Sequence, residues 1–346
     1  MSGGEADSGL AYARARIADL EALAGVQAVT LADGPGRGVR LLQVRSGGGL
    51  EFEVVVDRGF DIGRVSFRGQ TVSWHSATGV VAPWLMHPAS DAGQGFLRGF
   101  TGFMTTCGLD HIRQPESVPV VDQALNPNRE IFQPLHGLYS MQPARLIGSG
   151  CDEDGPHPLL WCEAEIRQAF IFGTCLSLRR RYECPVGGTG FTVSDRVRNI
   201  GPTPAPHLVL YHINLGYPLI DDGSAATLPG AEEVWRIGEA DPLAPFGPPV
   251  PEQTRALALY RWAGGNRRPV ATVAAASGLR IGICVDATQL PFCQVLRIPS
   301  AGHYGLSIEP CTTSCRTRSE ADERGETRIL RPGEEVRYDL GFSFSG

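Results

Sequence analysis

Two strand-like stretches carry the side chains best suited to proton transfer. In "PHLVLYHINLGYP" (206–218) the two-residue repeat of a strand puts Leu208, Leu210, His212 and Asn214 on one face and His207, Val209, Tyr211 and Ile213 on the other. Both faces are largely apolar, so this strand is expected to be covered on both sides. An unpaired buried imidazole costs about 1 to 3 kcal/mol. His212 therefore reads either as a hydrogen-bonded core residue or as a proton donor working near neutral pH. In "HYGLSIEPCT" (303–312) the same repeat gives Tyr304, Leu306 and Ile308 on one face, with His303, Gly305, Ser307 and Glu309 on the other. A face of Gly, Ser and Glu leaves room for a ligand, and a carboxylate at its end suits a general base. The competing reading is a surface strand with a solvated glutamate.

Three turns add weaker signals. "PLHGLYS" sets His136 beside Gly137 in a tight turn that can present a side chain to a cleft. "TTCGLDHIRQP" offers His111 after Asp110, and "VVDRGFDIG" offers Asp57, Arg58 and Asp61 around a glycine turn. A capping aspartate or a surface ion pair explains each of these equally well. His111, His136, His212 and Glu309 are ligand types for Zn, Mn or Fe, but no two of them share a short metal-ligand spacing, so no metal is expected. Serine-nucleophile elbows, phosphate-binding loops and dinucleotide fingerprints are absent; "GGTG" (187–190) lies in a hairpin with no helix after it.

The elements that must position these groups read almost entirely as β. "AYARARIADLEALAG" (11–25) has Ala13, Ile17, Leu20 and Ala24 at helical spacing and ends on Gly25, which predicts a short N-terminal helix within an extension over 1–25. After it, Leu50, Phe52, Val54 and Val56 alternate with Glu51, Glu53, Val55 and Asp57. Strands recur in "ATVAAASGLRIGICVD", "HYGLSIEP" and "EVRYDLGFSFSG". "CLSLRRRYECP" and "GFTVSDRVRNIG" form a hairpin across "VGGT", with Phe191, Val193, Asp195, Val197 and Asn199 on one face of its second strand and the solvated Thr192, Ser194, Arg196 and Arg198 on the other. Turn-broken strands with almost no helix predict an all-β fold, a large sandwich of antiparallel sheets. The proline-rich "EADPLAPFGPPVPEQT" (239–254) suits a long surface loop, so residues 1–346 read as one domain.

Bulk composition narrows the function. With 42% hydrophobic and 20% charged residues the chain is globular. A net charge of -6 gives no basic field for nucleic acid or an anionic membrane surface, so a small neutral substrate is the simpler expectation. Nine scattered cysteines without paired C-x-x-C spacing read as reduced thiols. The polar N-terminus lacks a signal-peptide core and no later run is apolar enough to span a bilayer, so a cytoplasmic location is expected.

Taken in order, several segments resemble the galactose mutarotase-like (aldose 1-epimerase) superfamily, most closely a branch of aldose-epimerase-like domain proteins of about this length. They run from "LADGPGRGVRLLQVRSGGGLEFEVVVDRGFDIGRVSFRGQTVSW" through "LRGFTGFMTTCGLDHI" and "PLHGLYSMQPA" to "DRVRNIG", "LVLYHINLGYPL" and "YGLSIEPCT". The resemblance implies a β-supersandwich whose concave face holds a monosaccharide. It further implies that His212 is a general acid and Glu309 a general base, and that His136 in "LHGL" matches a second active-site histidine, with Leu138 where the family has glycine. His111 belongs to the branch's own "TCGLDH" motif, and "NPNRE" puts Arg129 near the place of a classical Asn-Arg pair.

On that footing the expected reaction is interconversion of sugar anomers without a cofactor, with His212 and Glu309 on opposite sides of the substrate. His136, His111, Asp57, Arg58, Asn214 and Trp74 are the expected sugar contacts, since hydroxyls favour multidentate polar groups and sugar rings stack on aromatics. Two alternatives keep the fold: a sugar isomerase, epimerase at another carbon or lyase, with or without a metal, and a non-catalytic carbohydrate-binding domain. The expected partner is a monosaccharide, with homodimer formation left open.

Overall fold

The computed structural model describes residues 14–119, 130–153, 157–263 and 265–346. Its strands are β1 (Gly25–Thr30), β2 (Arg40–Arg45), β3 (Leu50–Val55), β4 (Asp61–Phe67), β5 (Gln70–Thr71), β6 (Met104–Leu109), β7 (Glu116–Pro119), β8 (Glu130–Gln133), β9 (Arg145–Asp152), β10 (Leu159–Ala169) and β11 (Cys175–Pro185). They continue as β12 (Gly190–Asn199), β13 (Ala205–Gly216), β14 (Ala225–Thr227), β15 (Ala231–Ile237), β16 (Ala256–Trp262), β17 (Val270–Ala274), β18 (Arg280–Val285), β19 (Phe292–Ile298), β20 (Gly305–Cys311), β21 (Arg328–Leu330) and β22 (Glu335–Ser345). A 12-stranded sheet runs β1-β2-β3-β4-β6-β13-β20-β19-β16-β15, with β5 on β4 and β21 on β13. An 8-stranded sheet runs β14-β17-β18-β22-β12-β11-β10-β9. All the strand pairs within these two sheets are antiparallel, and the expected all-β sandwich is what the chain forms.

The packing follows from the strand repeats. On β12 the face carrying Phe191, Val193, Asp195, Val197 and Asn199 is buried throughout and the other face is exposed. Phe191 stacks between Phe52 of the larger sheet, at 4.6 Å, and Phe342 of its own, at 4.7 Å. Asp195 reaches the same interior because Arg180 of β11 meets it at 2.6 Å and meets Asp61 of β4 at 2.6 Å. Tyr211 donates to Asp195 over 2.7 Å. Burial raises the pKa of Asp61, opposed by Arg180 and by hydrogen bonds from Thr106. A buried cation with two carboxylates and several hydroxyl donors is satisfied group by group, the condition for ions to survive in a core.

The N-terminal region departs from the helical expectation. Residues 11–13 of the expected helix lie outside the described residues. Arg14 is α-helical, and from residue 15 to 25 the regular helix reduces to one 3-10 turn, Leu20–Ala22, where Asp19 caps the Glu21 N–H over 2.9 Å and Gly25 already opens β1. Arg129 also lies outside the described residues.

Candidate functional site

β13 is buried along its whole length on both faces. Tyr211 and Ile213 face the core between the sheets, while His212 and Asn214 face away from it. Strand register then assembles the site. His212 pairs with Thr105 of β6; the pairs Leu210↔Cys311 and Ile213↔Ile308 set Glu309 opposite His212; and Glu309 pairs with Gln294 of β19. Thr105, His212, Glu309 and Gln294 thus form one row across four strands. The next row is Asn214, Ser307 and Leu296, and the one beyond is Gly216, Gly305 and Ile298. On the other side, Cys107, Leu210, Cys311 and Phe292 make an apolar row, to which Ala321 of the short helix α1 (Arg318–Glu323) adds further cover.

The glycine row makes room for an aromatic wall. A Cβ on Gly305 would lie 2.7 Å from Trp74 Cδ1, and one on Gly216 would lie 2.9 Å from Trp74 Cα. Trp74 therefore lies over the bare backbone of β13 and β20. Its Nε1 donates to the His303 carbonyl over 3.3 Å, and its ring meets Phe100 at 5.7 Å. These rings, with His212, Asn214, Ser307, Leu296 and His303, enclose an open cleft of about 270 Å³.

At its edge, His212 Nε2 stands 3.3 Å from Oε1 of Glu309, which lies buried behind the cleft lining. Asn214 fixes the other nitrogen. Both amide hydrogens of Asn214 go to carbonyls, Gly102 O and His212 O, each at 3.1 Å, so its Oδ1 accepts from His212 Nδ1 over 2.5 Å. With Nδ1 committed as a donor, proton exchange at His212 is confined to Nε2, the atom facing Glu309. Glu309 is fully buried and ringed by donors: Ser307 Oγ at 2.5 Å on Oε1 and Gln294 Nε2 at 2.5 Å on Oε2. Arg113 Nε donates to Gln294 Oε1 over 2.9 Å, which turns the Gln294 amine toward the carboxylate. His212 and Glu309 are thus side by side on neighbouring strands, a correction to the expectation that they flank a substrate from opposite sides. Facing side chains at one register position cannot admit a ring between them.

His136 is the third member. Its backbone has φ +63 and the next residue, Gly137, φ +74, where a Cβ would lie 2.6 Å from Gly108 O and 2.7 Å from His111 O. Glycine at 137 is what lets this left-handed turn pass so close to β6. The His136 ring lies edge-on to His212 at 5.6 Å, and its Nδ1 accepts the Arg113 N–H over 3.4 Å. Burial, reinforced by His212, Arg113 and His111, holds its pKa well below the ordinary value. His136 is therefore a neutral imidazole with its hydrogen on Nε2.

The remaining sequence candidates stand apart from this cleft. Asp57 accepts from the backbone N–H of Arg40 at 2.8 Å and from its guanidinium at 2.6 Å. His111 is fully buried, donates from Nε2 to Gln114 O over 2.7 Å and leaves Nδ1 without a partner. Burial lowers its pKa. Arg58 lines a separate, adjacent cleft. The metal-ligand set of His111, His136, His212 and Glu309 does not converge, and among the described residues no three His, Cys, Asp or Glu side chains do. Gln294 and Arg113 escaped the sequence reading. Gln294 carried the same signal as His212, a polar residue inside the apolar run "PFCQVLRI".

The fold is similar to that of several solved β-sandwich proteins. A protein from Klebsiella pneumoniae subsp. pneumoniae, proposed to be an aldose 1-epimerase, superposes with a TM-score of 0.81 at 20% identity, covering 92% of this chain and 83% of that one. A galactose mutarotase-like protein from Clostridium acetobutylicum superposes with a TM-score of 0.65 at 12% identity, covering 93% and 98%. A galactose 1-epimerase from Lactobacillus acidophilus NCFM gives 0.59 at 12% identity, covering 92% and 98%. No curated protein matches the sequence. The chain belongs to the family described as Domain of unknown function (DUF4432), whose model matches residues 36–344.

Proposed function

We propose that the protein is an aldose 1-epimerase that interconverts the α and β anomers of a free sugar. The observation that carries this reading is the His212 Nε2 to Glu309 Oε1 contact of 3.3 Å, with His212 lining an aromatic-walled cleft and Glu309 buried directly behind it. O1 and the ring oxygen are both bonded to C1, so neighbouring groups on one sheet reach them from the same side. Glu309 removes the O1 proton as the C1–O1 double bond forms. The C1 to ring-oxygen bond breaks, and the ring oxygen takes the proton of His212 Nε2. Rotation about C1–C2 and reclosure with both transfers reversed give the other anomer and restore both groups. Ser307, Gln294 and Arg113 hold Glu309 as an acceptor, and Asn214 holds the His212 tautomer.

NMR or polarimetry of freshly dissolved aldoses tests this, starting with galactose because two of the similar folds are named for it. Glu309→Gln and His212→Asn are each expected to lower the rate by roughly 10² to 10⁴-fold. The reading fails if no aldose anomerises faster with the wild type than with either variant.

A further inference from the structure

Beside the cleft over the acid-base pair lies a second one, lined by Arg58, Thr101, Thr105, Met104, Val80 and Asp61 among others. The segment Phe100–Thr101 divides the two, since Phe100 lines the first and Thr101 the second. Thr105 is the cross-strand partner of His212 on the same sheet face. Neighbours in such a row stand about 4.5 to 5.5 Å apart, a span that one pyranose ring bridges.

Two groups in this second cleft are unfinished. Arg58 is 7% exposed, yet all its hydrogen bonds go to neutral carbonyls: Nε to Ser140 O at 3.2 Å, and Nη1 to Gly99 O at 3.0 Å and Val81 O at 3.3 Å. Its Nη2 makes no hydrogen bond and its charge meets no carboxylate in an ion pair among the described residues. Thr105 is 4% exposed, and its hydroxyl is likewise unpaired among the described residues. Asp61, which also lines the cleft, is already bound by Arg180 at 2.6 Å and by Thr106 at 2.6 and 2.9 Å. Burial lowers the Arg58 pKa to about 10, which still leaves it charged at neutral pH. The Asp61 carboxylate acts on Arg58 only across space, without a hydrogen bond or ion-pair contact, and is itself bound by Arg180, so a buried cation hydrogen-bonded only to carbonyls has electrostatic demand left for an anion.

We propose that this cleft is a subsite for an anionic oxyacid group, a carboxylate or a phosphate, carried by the sugar at the end remote from C1, with Arg58 Nη2 and the Thr105 hydroxyl as its donors. This rests on the epimerase reading for the placement of C1, and it replaces the neutral substrate suggested by net charge alone. A charge-assisted hydrogen bond set in this site favours the anionic sugar by roughly 10- to 100-fold over its neutral counterpart.

Isothermal titration of the full chain with glucose, glucuronate and glucose 6-phosphate tests it, with anomerisation of the same sugars followed in parallel. At least one anion is expected to bind tighter than glucose by that factor, and which one it is separates carboxylate from phosphate. Arg58→Gln is expected to collapse the ratio of anionic to neutral affinity. Thr105→Val removes one donor while leaving the Arg58 contacts to three loops in place, so it serves if Arg58→Gln does not fold, and it is expected to reduce the ratio several-fold. Equal affinity for the three sugars, absence of anion binding, or a preference that survives both substitutions overturns the subsite. Anion preference without anomerisation would sink the epimerase reading and leave the subsite standing, and the reverse result would do the opposite.

Discussion

At the scale of single residues, the site depends on which atoms are committed and which are left to react. His212 has one nitrogen tied to Asn214 and the other 3.3 Å from Glu309. Asn214→Leu removes the acceptor at similar volume and frees the imidazole to change tautomer. The expected result is a loss in kcat of about tenfold, the worth of one buried hydrogen bond. Asn214→Asp keeps the acceptor but loses both donors to the Gly102 and His212 carbonyls, so it is expected to recover only part of the rate; equal losses in the two variants would count against a role for the acceptor. The sequence left open a choice between core histidine and proton donor, and the two readings are compatible in one residue. His212 is buried, satisfied at Nδ1 and still poised at Nε2. The alternation that singled out His212, Asn214 and Glu309 was readable because a strand repeats every two residues. Gln294 carried the same kind of signal inside "PFCQVLRI", but its place beside Glu309 is set only by strand pairing, and Arg113 comes from a loop segment with no such signal.

At the scale of elements, β13 and β20 supply both the active groups and the bare backbone beside them. Gly305 bears no positive φ, so its requirement is space alone. Gly305→Ala puts a methyl against Trp74 Cδ1 and the Leu215 carbonyl, 2.7 and 3.0 Å from its position. Trp74 must move out of the wall, and overpacking of this kind costs about 1 to 3 kcal/mol. Crystallography of the variant is expected to show a displaced indole, with KM for the sugar raised more than kcat is lowered. An unmoved Trp74 would count against the packing argument. The β11–β12 hairpin was legible from its alternation, with the second strand ending at Asn199, two residues before the end of the segment read from sequence. The extent of the N-terminal helix was not, because beyond the helical Arg14 the helical spacing competes with a cap at Asp19 and a strand beginning at Gly25.

At the scale of the whole molecule, several histidines are held neutral inside the sandwich, and stability must follow. His207 donates from Nδ1 to Leu109 O over 2.8 Å and accepts at Nε2 from Tyr338 over 2.8 Å. Burial lowers its pKa from 6.5 to about 4. Between those values the unfolded chain binds a proton that the folded protein does not. Stability therefore falls as pH drops through this window, by about 3 kcal/mol for this residue, and is regained toward pH 7. His136 and His111, whose pKa values are also lowered, act in the same direction. Urea denaturation at pH 7 and at pH 4.5 reads this loss, and His207→Gln is expected to make the dependence shallower. An unchanged slope in that variant would show that His207 is not the group responsible.

The sequence by itself determined the strands, their buried faces and the side chains pointing away from the core, because these follow from local periodicity. Only the tertiary structure decided which of those side chains meet. Register is a relation between strands distant in the chain, and it set His212 against Glu309, put Gln294 behind them, laid Trp74 across two glycines and sent Asp57 to Arg40. It also placed Arg58 in a neighbouring cleft with a charge still unpaired.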